Sequence, residues 1–139
     1  MSAPGAVVVG YDGSADAGTA VTWAARTART LGAPLWIVHA VGLLEHSGFT
    51  GRGPADGAAA VRLACDAGLE ESAVEWRQVD GDPCSALLRV AEGGAPVALL
   101  VVGSRGSGAH AGTLLGSTSL ELAEHAPVPV AIVPSGYEA

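Results

Sequence analysis

One stretch of the chain has a composition suited to binding an anion. Residues 103–117 read GSRGSGAHAGTLLGS, with Gly103, Gly106 and Gly116 at fixed spacings and Ser117 directly after the last of them. Glycines without a Cβ allow backbone N–H groups to turn toward an anion, and a helix N-terminus adds the positive end of its dipole. Because a helix is predicted to begin at Ser117 or the next residue, the stretch predicts a phosphate-binding loop.

Two charged residues that could contribute to such a binding site have more than one interpretation. Asp12 lies in the segment Tyr11-Asp12-Gly13-Ser14, where a carboxylate either closes a turn or contacts a ligand. Arg105, the one cation in the glycine-rich stretch, either neutralises phosphate or is a solvated loop residue. The residue types alone leave both alternatives open.

Composition excludes several classes of function. The chain contains no lysine, so the Gly-Lys-Ser/Thr ending of a Walker loop is missing. Cys65 and Cys84 have no CxxC spacing, and the four histidines have no HxxxH spacing, which argues against a metal site built from them. A formal net charge of −7 disfavours binding to nucleic acid.

The chain has no apolar run of the roughly 18 residues that a membrane span needs. The first residues, Met1 to Gly5, also lack a basic region followed by an apolar stretch. We therefore expect no membrane partner and a cytoplasmic location.

The elements that position these residues follow from the hydrophobic pattern. Apolar, β-branched runs predict strands, and apolar residues at helical spacing predict helices. The predicted strands are 6–11, 35–41, 74–79, 97–102 and 128–133, and the predicted helices are 20–31, 58–67, one starting at Asp82-Pro83 and ending before Gly93, and one from Ser117 or Thr118 to Ala126. Residues 42–57 are rich in glycine and predict a loop.

Strands that alternate with helices predict an α/β fold with a parallel sheet covered on both faces. At 139 residues the chain is expected to form one domain with a doubly wound, five-stranded sheet. Ligands of such sheets bind beyond the carboxyl ends of the strands, where the strand order reverses. If the first and fourth strands are neighbours, the Asp12 turn and the glycine-rich stretch share one crevice.

The same residues resemble those of a known family. Gly103-x2-Gly106-x9-Gly116-Ser117 is similar to the nucleotide-binding signature of the ATP-binding universal stress proteins, and residues 8–14, VVGYDGS, look like their first strand and loop. The likeness continues through residues 37–40 and 126–130. It departs between residues 42 and 68, which are fewer and richer in glycine than usual.

The resemblance implies a Rossmann-like sheet with the strand order 3-2-1-4-5 and a site for ATP, with Mg²⁺. It implies that Asp12 and Ala40 lie on the adenine side of the crevice and that Gly103 neighbours the ribose. Gly106, Gly116 and Ser117 would then approach the phosphates through backbone and hydroxyl groups.

The expected function is that of a nucleotide-dependent regulatory switch in a stress response. The alternative is a slow ATPase or a phosphotransferase, which the lack of a lysine and of an evident base disfavours. We also expect a homodimer through the last strand, Val128 to Val133, because a bare apolar edge invites pairing and the resemblance implies the same interface.

Overall fold

The computed structural model describes residues 4–42, 57–104 and 116–138. Its strands are β1 (Ala6–Gly10), β2 (Leu35–Val41), β3 (Val74–Asp80), β4 (Val97–Gly103) and β5 (Val130–Val133). Its helices are α1 (Ala15–Leu31), α2 (Gly57–Asp66), α3 (Pro83–Glu92) and α4 (Ser117–His125), with a short 3-10 helix at Glu71–Ala73. Most of the loop predicted for residues 42–57, namely 43–56, lies outside the described residues.

The strands form one parallel sheet in the order β3-β2-β1-β4-β5, which confirms the predicted fold class and strand order. β1 is the middle strand and pairs with β2 on one side and β4 on the other. The chain moves outward to β3 in one direction and to β5 in the other. The order therefore reverses at β1, and the carboxyl ends of β1 and β4 lie side by side at the point where such sheets bind their ligands.

The helices cover the sheet on both faces. Successive strand residues point to opposite faces, so each strand contributes to two cores. One core is formed with α1 and α2, and it includes Val7, Val9, Leu35, Ile37, Val101, Ala20 and Ala24. The other is formed with α3 and α4, and it includes Val8, Val38, Leu100, Val102, Leu87 and Leu122.

Local chemistry fixes where α1 and α3 begin. Ser14 occupies the N-cap of α1, and its hydroxyl oxygen accepts the amide hydrogen of Ala17 at 3.1 Å. Helix α1 therefore starts five residues before the predicted Ala20. Asp82 caps α3 and accepts from the Ser85 amide at 3.0 Å, as the Asp82-Pro83 pair predicts.

The last strand is shorter than the sequence predicts. β5 starts at Val130 and not at Val128. Pro127 and Pro129 carry no amide hydrogen, so this segment donates no ladder bonds at those two positions. Pro129 still takes part through its carbonyl oxygen, which accepts from the Leu100 amide at 3.0 Å.

The two faces of β3 pack against different cores. Trp76 packs toward the core formed with α1 and α2, whereas Val79 packs toward the other core. The sequence alone left the side of Trp76 open. Within the three described ranges, no helix is long and apolar enough to cross a membrane.

Candidate functional site

The turn between β1 and α1 is held by its own side chains. The Tyr11 amide donates to the Val38 carbonyl at 2.9 Å, which extends the β1–β2 pairing by one residue. The Ser14 amide then donates to Asp12 Oδ1 at 2.9 Å. This bond confirms the turn-closing interpretation of Asp12, and the ligand-contacting one stays a prediction.

A buried histidine fixes the carbonyl group next to this turn. His39 is 5% exposed, and its Nδ1 lies 3.0 Å from the Tyr11 carbonyl oxygen. Because a carbonyl oxygen only accepts, Nδ1 is the protonated nitrogen in this contact. The imidazole stacks on Trp76 at 5.8 Å between centroids, and the Tyr11 ring meets the same indole edge-on at 6.2 Å.

Ala40 follows His39 on β2 and points to the opposite face of the sheet. It is half-buried and packs against the core formed with α3 and α4. It lies near the carboxyl end of β2, which pairs in parallel with β1, the strand that the Asp12 turn follows. The predicted place of Asp12 and Ala40 on the adenine side of a site stays a prediction. No described contact of Ala40 identifies a ligand.

Gly103 ends β4 in a close approach to the first turn of α1. A Cβ on this residue would lie 2.9 Å from the Asp16 carbonyl oxygen and 3.0 Å from the Asp16 carbonyl carbon. No side chain fits against the backbone at that distance. Packing between β4 and α1 therefore accounts for this glycine of the motif, with or without a nucleotide.

The two described flanks of the glycine-rich stretch are bonded to each other. The Gly116 amide donates to the Ser104 carbonyl at 2.6 Å, and the Ser104 amide donates to the Val133 carbonyl at 2.9 Å. The Ser119 hydroxyl donates to the Gly103 carbonyl at 2.9 Å. Helix α4 is thereby attached to the end of β4.

Helix α4 starts at Ser117, one of the two predicted starting residues, and the residue before it is its N-cap. Gly116 is the N-cap residue and Ser117, which is exposed, is the first residue of the helix. Gly116 has φ −73°, a value open to any residue, so backbone strain is not what calls for glycine there. Since Gly116 has no side chain, it offers no oxygen to the first amides of α4, in contrast to Ser14 and Asp82 at α1 and α3.

The structure thus brings the described candidates to one edge of the sheet. Asp12, Ala40, Gly103, Gly116 and Ser117 all lie at or just beyond the carboxyl ends of β1, β2 and β4. Arg105 and Gly106 lie outside the described residues.

Sequence reasoning missed three serines at this edge. The missed residues are Ser104, Ser119 and Ser135, and each makes a side-chain hydrogen bond across elements. Ser119 is 2% exposed, and its place three residues after Gly116 on an apolar helix face was the available signal. Nothing local marks Ser104 or Ser135, whose partners are distant in sequence.

Two carboxylates, Asp12 and Asp16, lie near the edge. Across the described part of the chain, no group of three or more His, Cys, Asp or Glu side chains is placed to hold a metal ion. A magnesium ion that keeps several waters and binds mainly to nucleotide phosphates needs only one or two protein carboxylates. These residues are compatible with that arrangement.

Comparison with known proteins gives this architecture a family. The model of the universal stress protein family matches residues 5–134. The chain belongs to the universal stress protein family. A universal stress protein solved in complex with cAMP is 35% identical, covers 95% of this chain and 98% of its own, and superposes with a TM-score of 0.72.

Other family members agree in fold and differ in length. A UspA protein from Lactobacillus plantarum shares the fold at 19% identity, with 96% of this chain and 99% of its own covered and a TM-score of 0.71. A universal stress protein of Mycobacterium tuberculosis is 32% identical over 153 aligned residues, which cover 92% of this chain and 47% of the relative. The chain spans about half the length of the curated relatives it matches.

Proposed function

We propose that this universal stress protein binds an adenine nucleotide at the carboxyl edge of its sheet and acts as a nucleotide-dependent regulator in a stress response. The observation that carries the proposal is the convergence at that edge of the Asp12 turn, the end of β2 and the junction of β4 with α4. The proposal takes the whole chain as one nucleotide-binding domain located in the cytoplasm.

The base is proposed to lie against Asp12 and Ala40. The Asp12 turn is rigid, because the Ser14 amide fixes the carboxylate from one side and the bond between His39 and the Tyr11 carbonyl fixes the preceding peptide. A group held this way loses little conformational entropy when a ligand binds. Such a turn suits recognition of a ring edge that carries hydrogen-bond donors.

The phosphates are proposed to lie toward Gly106, Gly116 and Ser117, with Gly103 near the ribose and Arg105 available for charge neutralisation. Support comes from the start of α4, whose N-cap residue provides no acceptor to its first amides. Anions are stabilised there by about 0.3–1 kcal/mol per charge at an exposed helix N-terminus. A bound phosphate would accept those amide hydrogens in place of a capping side chain.

ATP with Mg²⁺ is the proposed ligand, and an adenosine monophosphate is the second candidate. The specific observation that favours the second is the 35% identical universal stress protein solved with cAMP. Both ligands contain adenosine and would bind alike on the side of Asp12 and Ala40. They differ in the phosphate groups that the other side of the site would bind. When bound, the metal ion would neutralise phosphate charge.

Turnover of ATP is expected to be slow. Rapid phosphoryl transfer needs charge stabilisation and a positioned nucleophile, and the sequence offers no lysine and one arginine in the glycine-rich stretch. We expect single-turnover phosphate release well below the roughly 1–100 s⁻¹ of kinases. A rate in that range would instead make the protein an ATPase or phosphotransferase.

We also propose a homodimer through β5. This strand is an edge of the described sheet, and Ala131 and Ile132 on it are only half-buried in the single chain. Leu120, on the neighbouring helix α4, is 50% exposed. Light scattering at micromolar concentration is expected to give twice the mass of the chain, and a monomer at every concentration would contradict the proposal.

The experiment for the central proposal is a calorimetric titration of the purified protein with ATP·Mg²⁺, cAMP, AMP and adenosine. The protein is first stripped of nucleotide by denaturation and refolding, and the extract is analysed for any released nucleotide. Saturable binding of at least one phosphate-bearing adenine nucleotide supports the proposal. A refolded, nucleotide-free protein that binds none of the four contradicts it.

A further inference from the structure

We infer that Ser135, in the segment after β5, is a positioning residue for the phosphate side of the nucleotide site. It lies outside the glycine signature and outside both loops that the sequence points to. The inference rests on the proposed function, because it specifies how one side of that site is held in place.

A tight turn presents Ser135 to α1. The Tyr137 amide donates to the Pro134 carbonyl at 3.2 Å, which closes a four-residue turn directly after β5. Gly136 occupies its third position with φ +70°, a conformation that favours glycine. The turn thus has a defined geometry and is not an extended tail.

From this turn, Ser135 bonds to the first turn of α1. Its hydroxyl donates to Asp16 Oδ2 at 2.7 Å, across 119 residues of sequence. Asp16 is also the residue whose carbonyl carbon and oxygen lie against Gly103 at the end of β4. One residue of α1 therefore contacts both the segment after β5 and the last residue of β4.

Ser104 joins the same network. Its hydroxyl oxygen lies 3.4 Å from the Ser135 hydroxyl oxygen. Because the single proton of Ser135 is directed to Asp16, Ser104 is the donor in this longer contact. Ser104 thus donates to Ser135, and Ser135 donates to the Asp16 carboxylate. Because the last acceptor is negatively charged, it strengthens both hydrogen bonds.

Ser104 is also where the two flanks of the glycine-rich stretch meet. It is 7% exposed, its amide is bonded to Val133, and its carbonyl accepts from Gly116, the N-cap residue of α4. The position of the α4 N-terminus relative to β4 therefore depends on Ser104. Ser135 fixes the side chain of that residue and the first turn of α1 together.

The network meets the Asp12 side of the crevice only at Asp16, in the first turn of α1. The turn that carries Asp12 is held by Ser14, and the carbonyl before it is held by His39, neither of which bonds to Ser135 in the described structure. Loss of the Ser135 hydroxyl is therefore expected to weaken ligands that carry phosphate and to leave adenosine affected little.

The test compares adenosine with AMP and ATP·Mg²⁺ on the full chain. For Ser135→Ala we expect affinity for AMP and ATP·Mg²⁺ to fall by roughly three- to tenfold, the scale of the net contribution of one ordinary hydrogen bond, with adenosine affinity unchanged. Ser135→Thr retains a hydroxyl and should restore most of the loss. Ser72→Ala, an exposed serine in the 3-10 helix away from the site, is the matched control.

The ratio of adenosine to AMP affinity separates positioning from a general loss of folding, which would weaken all ligands together. A double-mutant cycle of Asp16→Asn and Ser135→Ala provides a second measurement. The loss of AMP affinity in the double variant should be smaller than the sum of the losses in the two single variants. An unchanged ratio in Ser135→Ala, or full additivity in the cycle, overturns the inference while ATP binding by the parent still supports the proposed function. A parent that binds none of the ligands removes both.

Discussion

The two segments that form the crevice are built on different principles. The β1–α1 turn is held mainly from within, since Asp12 and Ser14 accept amide hydrogens from residues two and three positions later in the chain. The junction of β4 and α4 depends on distant partners, namely Asp16, Val133 and Ser135. A ligand at this edge would thus have one side supported locally and the other supported by tertiary contacts.

This difference predicts how each of the two segments responds to substitution. Changes at the β1–α1 turn should act mainly on the ligand and on the helix that the turn caps. Substitutions at the β4–α4 junction should also lower the free energy of unfolding, because residues of the junction pack against α1 and bond to β5. The following variants test that contrast in order of expected effect.

The largest effect is expected from Gly103→Ala. The new Cβ would lie 2.9 Å from the Asp16 carbonyl oxygen, so β4 and α1 must separate. We expect the free energy of unfolding to fall by about 1–3 kcal/mol, as overpacking typically costs, and nucleotide binding to weaken with it. Urea unfolding with a calorimetric titration on the same preparation measures both.

Gly18→Ala is the matched control on α1. Its Cβ would lie 3.5 Å from a terminal carbon of Leu63, an ordinary contact, and the position is helical. Alanine is favoured over glycine inside a helix, so the variant should be as stable as the parent or gain up to about 1 kcal/mol. Equal stability of Gly103→Ala and the parent would show that the close approach at Asp16 is not structurally required.

An intermediate effect is expected at Asp12, on the locally supported side. Asp12→Ala removes both the acceptor for the Ser14 amide and the proposed contact with the base, so adenosine and nucleotide affinities should fall together by about tenfold. Asp12→Asn keeps an oxygen for the turn and removes the charge. If Asn binds as the parent does, the carboxylate charge is not used by the ligand; if Ala does too, Asp12 serves the turn alone.

The smallest effects are expected at two helix caps that differ in location. Ser14→Ala and Asp82→Ala each remove a side-chain N-cap and should each cost about 1 kcal/mol of stability. Ser14 lies in the crevice and Asp82 caps α3, outside the network described above. Only Ser14→Ala should also alter nucleotide affinity, and equal binding losses in both variants would contradict the assignment of the site.

The Asp82 cap also has a pH dependence. Hydrogen bonds from the Ser85 amide and hydroxyl lower the pKa of the Asp82 carboxyl below its ordinary value. Stability from this cap is therefore present above the unfolded-state pKa of about 4 and is lost as pH falls through the lower folded-state pKa. The difference in the free energy of unfolding between the parent and Asp82→Ala should therefore be smaller at pH 3 than at pH 7. Unfolding curves of both proteins at the two pH values would measure it.

The contrast between the two segments also explains what the sequence could predict. Asp12 and Asp82 act on neighbours within three residues, so turn and capping signals reveal them from the sequence. Ser14 also acts on a neighbour three residues away, but its cap was missed and α1 was predicted to start at Ala20. The strand order followed from the family resemblance and the alternation of apolar runs. These are local or family-wide properties.

The rest depends on contacts that no local pattern encodes. Glycine is needed at position 103 because the Asp16 backbone packs against it, and this contact follows only from the structure. The network of Ser104 and Ser135 joins residues 31 positions apart. The late start of β5 was not predicted either, because an edge strand tolerates proline and Pro129 alone does not exclude it from the strand.

The most direct test of the account is the affinity of the stripped, refolded protein for AMP and for adenosine, measured side by side in the parent, Asp12→Ala and Ser135→Ala. We predict that the parent binds both ligands, that Asp12→Ala loses affinity for both, and that Ser135→Ala loses affinity for AMP alone. A folded parent that binds neither AMP, ATP·Mg²⁺, cAMP nor adenosine would contradict the central claim that this edge of the sheet is an adenine nucleotide site.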